Sequence, residues 1–545
     1  MRKSFIITIG IFAFSVIMAN LFLPDPVFDN LSDKVTFQQQ ANMPNRAEET
    51  LLKIIENDSF TVEVHYRFIQ NHFDIPEEKK KGRHNYVKRD DNTIINFYDT
   101  LSQSSYENQA DLGFYGKGLI QSNLNNYPAA LEALKQVKNK DLRYFNNTIG
   151  YVYMSLDSLH AAEFHFRKEI ENRGNLAGAY SNLIALLFKQ DRMPELEDLL
   201  KNKETRQYFS FPMERYVLFK NFQIPDYLLR IFKRTFQGLN ILGFVAAFLI
   251  MGSWIMYLRK LDIFEVEKWK YVLITVALGM LFTFMIYPLT DFNNLVLNFS
   301  LDGTIINDFF YCVAGIGALE ELVKFIPFFV ILRFTKAINE PFDYIKYASL
   351  SALGFAFIEN LIYFNENNLY IIHGRALTAV VSHMFDASII AYGLILNRYK
   401  RAWNPYLNFI LFFALASLSH GFYDFWLINK SASSFSIITF AFLLASMFVW
   451  NSFKNNALNH SSFYDKDKAL DSEKLQDYLL YSLSGILLFE YLALVFKFGP
   501  GIANIGLLSS VTSGTYLILF LSTNLSKVRR RKGEWAPIRY WADKE

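Results

Sequence analysis

A chain of 545 residues carrying 55 Lys and Arg against 52 Asp and Glu is close to neutral, and 52% of it is hydrophobic. That balance excludes a polybasic nucleic-acid binder, and the one cysteine, Cys312, excludes an intrachain disulfide or a cysteine-built zinc site. Residues 24 to 230 are polar and charged whereas Phe, Leu, Ile and Tyr dominate the remainder of the chain, so the expected class is an all-α membrane protein with one large water-exposed region.

A spanning helix needs about 20 apolar residues, since ~30 Å of hydrocarbon is crossed at 1.5 Å per residue. Stretches of that kind fall near 5–23, 236–257, 269–289, 306–332, 344–364, 376–397, 405–428, 433–452, 477–497 and 502–522, which predicts a polytopic helix bundle of about ten spans. Arg2 and Lys3 before the first stretch fit a signal peptide or an anchor, and the lack of a small-x-small cleavage site favours the anchor. Lys and Arg gather on alternate connections: Arg2/Lys3, Arg259/Lys260, Arg333/Lys336/Lys346, Arg398/Lys400/Arg401, Lys454/Lys466/Lys468 and Lys527/Arg529/Arg530/Arg531. Both termini are therefore expected in the cytoplasm, with residues 24–235 outside it.

The chain is thus expected to divide into four regions: a membrane anchor or signal at 1–23, an exported helical domain at 24–230, an intramembrane core at 235–455, and two further spans with a basic cytoplasmic tail at 456–545. Within the exported domain, AEETLLKIIEND and SFTVEVHYRFIQNHF read as amphipathic helices, and the charged stretch PEEKKKGRHNYVKRDD reads as a solvated loop. Gly118 and Ala130 recur as Gly150 and Ala162 at an offset of 32, with Leu134 and Phe166 at equivalent later positions. Small residues there let paired helices approach closely. Residues 110–202 thus resemble a tetratricopeptide-like (TPR-like) array, whose period is about 34, and such arrays bind a protein or peptide on a concave face. An ordinary antiparallel bundle is the alternative.

Charged residues recur inside the fourth to seventh spans, where a bilayer tolerates them least. Glu320 and Lys324 share a helix face, with Glu321 expected to turn away by about 100°. The fifth span supplies Phe355, Glu359 and Asn360, the sixth His383 and Asp386, and the seventh His420 and Asp424. Glu359, His383 and His420 each lie within roughly 8–12 Å of the outer helix ends at 1.5 Å per residue, so antiparallel helices can bring them to one level. A desolvated Glu beside Lys or His suits general-base hydrolysis, and imidazoles can orient water or stabilise an oxyanion. No HExxH and no Ser or Cys nucleophile motif accompanies them.

Glu-Glu-x-x-Lys at 320–324, Phe-x-x-x-Glu-Asn at 355–360, the histidine of SHMFDA and His-x-x-x-Asp at 420–424 together resemble the PrsW family of intramembrane proteases over roughly 235–455. That family is related to the CAAX prenyl-endopeptidases and the bacteriocin-immunity-type membrane proteases. The resemblance implies a bacterial cytoplasmic-membrane protein that cuts membrane-anchored protein substrates by glutamate-activated water, with site-1 cleavage of anti-sigma factors as the family's role. Carried over, Glu320, Glu321, Glu359, His383 and His420 form the catalytic set, and Lys324, Asn360, Asp386 and Asp424 support it. Glu359 and Asp424 stand where the CAAX enzymes have His and Asn, and an ionised aspartate cannot donate to an oxyanion, so that role moves to a histidine, to Asn360 or to a protonated Asp424. The cofactor is either none or one divalent metal such as zinc, with Glu359, His383 and His420 as candidate ligands. Two alternatives stay open: an ion- or proton-coupled transporter or sensor, and an inactive scaffold whose repeats bind proteins.

Overall fold

The computed structural model describes residues 2–57, 61–74, 91–366, 369–400, 404–468, 470–528 and 531–537, and all regular structure among them is helical. The charged stretch expected as a loop lies, but for Asp91, outside the described residues. The chain divides into two compact units, residues 27–224 and residues 1–26 with 225–545.

In the first unit, helices Glu107–Asn123 and Tyr127–Gln136, Phe145–Ser155 and Leu159–Glu171, and Leu176–Lys189 and Met193–Lys201 succeed one another as helix–turn–helix pairs. A Cβ on Gly118 would stand 2.5 Å from Leu134 Cγ and 3.3 Å from the Ala130 carbonyl; on Gly150 it would stand 2.7 Å from the Phe166 ring and 3.3 Å from the Ala162 carbonyl. Within each pair the turn passes through a left-handed residue, Asn125, Asp157 or Asp191, at φ 59°, 58° and 54°. Asn and Asp adopt that conformation more readily than other non-glycine residues. Two of these turns are tied onward, Asp157 to Lys189 and Asp191 to Lys220, both at 2.8 Å.

The second unit is an integral membrane bundle. Its long helices are α1 (Arg2–Phe22), α2 (Ile241–Leu261), α3 (Trp269–Thr283), α4 (Ala318–Phe334), α5 (Pro341–Glu366), α6 (Val380–Lys400), α7 (Pro405–Ile428), α8 (Ile437–Asn459), α9 (Ser472–Phe498) and α10 (Pro500–Leu525). Among the described residues, nine helical segments are long and apolar enough to cross a membrane, against the ten expected. The difference is the fourth: residues 305–334 are helical throughout, but as Ile305–Phe310, a π-helical stretch Tyr311–Gly317, and then α4 with its four charged residues, Glu320, Glu321, Lys324 and Arg333. A second π-helical stretch, Arg375–Ala379, precedes α6. Such wide turns shift the side-chain register of the adjoining helix and recur at functional sites.

Glycine sets the closest crossings. A Cβ on Gly317 would stand 2.6 Å from the Ser417 carbonyl, and one on Gly421 would stand 2.5 Å from Val313 Cα, so α7 lies directly against the π-helical stretch and the start of α4. Small residues permit such backbone contact between membrane helices. At the other end of α1, Asn504 donates to Asn20 (2.7 Å) and Asn20 donates to Tyr491 (3.1 Å), fastening α1 to α9 and α10.

Two basic residues expected as loop charges are buried instead. Lys346 sits in α5 between Asp262 (2.8 Å) and Asp343 (2.7 Å), and Lys454 in α8 donates to the Leu525 carbonyl (2.8 Å). Orientation at the 333–346 connection thus rests on Arg333 and Lys336. Beside Lys346, Glu340 accepts from Ser461, and burial, opposed by Ser461, pushes its carboxyl up from 4.5 to about 8. The folded state therefore keeps a proton on Glu340 between pH 4.5 and about 8 that the unfolded chain releases, so stability falls as pH rises across that window. Glu340→Gln is expected to raise the melting temperature in detergent by several degrees at pH 8.5 and to leave it nearly unchanged at pH 4.5; equal effects at both pH values would contradict this.

Candidate functional site

Four helices converge on one buried ammonium. Lys324 Nζ, on α4 and fully buried, stands 2.9 Å from Glu321 Oε1, 3.2 Å from Glu320 Oε2, 2.9 Å from His383 Nδ1 on α6 and 3.4 Å from His420 Nδ1 on α7. The Phe355 ring of α5 covers it at 4.5 Å. Glu321 was expected to face away, yet it lies closer to Lys324 than Glu320 does, because a lysine stem reaches residues both three and four positions before it.

Donor and acceptor chemistry orders the rest. An ammonium only donates, so His383 Nδ1 accepts and its hydrogen sits on Nε2, which donates to Glu359 Oε2 at 2.9 Å. Glu359 also accepts from Arg375 Nη2 at 2.5 Å, while Arg375 Nε donates to Asn360 Oδ1 at 2.7 Å. His420 Nδ1 stands 2.8 Å from Glu321 Oε1; its Nε2 faces Glu320 Oε2 at 3.4 Å and Asp424 Oδ2 at 3.3 Å. Both ring nitrogens of His420 thus face carboxylates and are placed to donate. Asp386 sits behind, accepting from Ser419 (2.5 Å) and Ser382 (3.2 Å).

A cavity of about 860 Å³ opens on one side of this network. Glu320, Glu359, His383, His420, Asp386 and Asp424 border it; Glu321, Lys324 and Asn360 do not. The adjacent glutamates therefore differ: the Glu320 side chain is 13% exposed and reaches the cavity, and the Glu321 side chain is 0% exposed and holds Lys324 and His420. Asn360, a candidate for the oxyanion on sequence grounds, is turned to Arg375. Sequence reading missed Arg375, which also borders the cavity and lies over the Tyr363 ring at 4.4 Å. An intramembrane arginine is as costly as the acids that drew notice, but the sixth span was begun one residue after it. Glu490, a lone acid in the sequence, is held by the backbone N–H of His373 (2.5 Å) and by its Nδ1 (2.9 Å).

Residues 267–450 match the family model described as PrsW family intramembrane metalloprotease. A protein named Protease PrsW from Oceanobacillus iheyensis is 34% identical over 150 residues, which cover 27% of this chain and 65% of that relative. A second of that name, from Geobacillus kaustophilus, is 28% identical over 177 residues, covering 32% of this chain and 74% of the relative. The chain thus spans just under two thirds of the Oceanobacillus protein. No solved structure matches the chain.

The word metalloprotease implies a metal ion, and the donors can be tested for one. Ligand atoms of Glu320, His383 and His420 lie within 4.8 Å of one another and are of the types zinc accepts. Lys324 Nζ, however, already stands against each of those three residues, and the far nitrogen of His383 carries a hydrogen directed at Glu359. Glu359, expected among the ligands, belongs to neither of the two acid–histidine groups close enough to share an ion among the described residues, and is held by Arg375. The donors as arranged do not fit a divalent ion. The four sequence motifs, the helical membrane core and the matched region point the same way: residues 267–450 of this chain are similar to the PrsW family.

Proposed function

We propose that the chain is an intramembrane endopeptidase that hydrolyses peptide bonds of membrane-tethered protein substrates, with Glu320 as the general base. The observation that carries this reading is the division between neighbouring carboxylates, Glu320 bordering the cavity and Glu321 buried against Lys324. Water in the cavity gives its proton to Glu320 as its oxygen attacks the substrate carbonyl carbon; Glu320 then returns the proton to the amine nitrogen as the C–N bond breaks. His420 Nε2, beside Glu320 and Asp424, is placed to donate to the developing oxyanion. Arg375 and His383 hold Glu359 with two donors, which suits a fixed carboxylate at the cavity wall more than a second base.

Residues 24–235 face the exterior in this reading, and the repeat unit, TPR-like in its paired helices, selects the substrate, a regulatory protein such as an anti-sigma factor being the class that the family resemblance suggests. An intact helix shields its carbonyls, so a substrate unwinds at its exported end and is cut in the outer half of the bilayer or just outside it. Comparing shed and membrane-retained fragments between cells with the wild type and cells with Glu320→Gln tests this. Fragments that depend on Glu320 and end near the outer face of their spans are expected. Glu320-dependent ends at the cytoplasmic face would sink the topology, and identical fragments in both strains would sink the protease reading.

A further inference from the structure

Resting on the hydrolytic reading of this cluster, we infer that the buried ammonium of Lys324 takes the place of a divalent metal ion at its centre and acts as a positioning residue for Glu320 and His383. An ammonium has three N–H donors, and the three closest acceptors come from three residues: Glu321 Oε1 at 2.9 Å, His383 Nδ1 at 2.9 Å and Glu320 Oε2 at 3.2 Å. The fourth polar neighbour, His420 Nδ1, is itself placed to donate to Glu321, so it makes no demand on the lysine. The face of Phe355 at 4.5 Å closes the remaining side with the negative surface of its ring. Donors, acceptors and ring face account for the whole shell of the cation.

A metal at such a centre would neutralise the carboxylates and gather nitrogen and oxygen donors from several helices. Lys324 does both from within the chain. It draws α4, α6 and α7 together, and by requiring a lone pair from His383 Nδ1 it directs the His383 N–H to Glu359, continuing the network to Arg375. An ion bound at about 2.0–2.2 Å would need the one lone pair of His383, on Nδ1, that the ammonium uses. The two occupants are mutually exclusive. The Lys324 side chain is 0% exposed, so an arriving ion would have to expel a buried cation from a site that contains its own counter-charges.

Removing the ammonium should therefore uncover a latent metal site. Full-length wild type, Lys324→Ala and Lys324→Ala/His420→Ala, each purified into lipid nanodiscs, are dialysed against buffered zinc, washed, and their zinc counted by mass spectrometry. Cleavage of a tethered reporter by the wild type is monitored alongside, with and without a strong chelator. The expected result is less than about 0.1 zinc per wild-type chain, about one per Lys324→Ala chain, and loss of that zinc in the double variant, with wild-type cleavage indifferent to chelation. About one zinc per wild-type chain would overturn the inference, and so would a Lys324→Ala variant that gains none. A wild type that cleaves nothing would instead reject the hydrolytic reading, and the zinc counts, which need no turnover, would still decide the occupant of the site.

Discussion

Glu320→Gln is expected to lower cleavage of a membrane-tethered substrate by about 10²–10⁴-fold, the usual contribution of a general base, while the protein stays at its wild-type level in the membrane. Glutamine keeps the shape of the side chain and its contact with the cavity but cannot accept the proton of water. Glu321→Gln is expected to act differently. Glu321 is wholly buried and receives both Lys324 and His420, so neutralising it leaves two buried donors short of a counter-charge, a loss on the order of 3–5 kcal/mol for a broken buried pair. That variant should lose protein level or melting temperature first and activity as a result. Measuring both properties for both variants separates the roles. A stable, inactive Glu321→Gln beside an active Glu320→Gln would exchange the assignments, and two variants that only lose protein would reduce the cluster to a structural ion network.

Gly421→Val carries the second large effect, and it touches no polar atom of the site. The added Cβ would stand 2.5 Å from Val313 Cα, against backbone that cannot swing aside as a side chain can. Either α7 moves away from the π-helical stretch or the stretch itself rearranges, and both displace His420 from Glu320 and Glu321. A displacement of about 1 Å in a catalytic constellation is enough to cost on the order of 10²-fold in rate. Gly421→Val should therefore insert in the membrane yet show cleavage reduced at least that far, with a lowered melting temperature. Gly252→Ala is the control, since nothing lies within 4 Å of a Cβ there. Wild-type cleavage by Gly421→Val would mean that the close crossing does not set the geometry of the site.

Much of this molecule is written locally and could be read from the chain. Hydropathy and length determined the membrane class, because an unpaired backbone in hydrocarbon leaves only helices and closed barrels as spans, and apolar runs of about 20 residues fit the helix. The same cost made the intramembrane Glu, Asp, Lys and His conspicuous, and their ordered motifs carried the family resemblance. The recurrence of Gly118 with Ala130 as Gly150 with Ala162 likewise marked where helix pairs touch, since only small residues allow that approach. Tertiary structure decided what period and spacing cannot express. The stretches Tyr311–Gly317 and Arg375–Ala379 depart from the 3.6-residue period, so a helical wheel drawn through them mispoints every later residue of the helix. Which of two adjacent glutamates reaches the cavity is expressed only in the packed bundle, where Glu321 is closed in by Lys324 and His420 and Glu320 borders the cavity. Whether Lys324 merely offsets a charge or fills the centre of the site depends on an acceptor that arrives from α6, His383 Nδ1, and a ring from α5, which lie far from it in sequence and meet it only because the helices close around its ammonium.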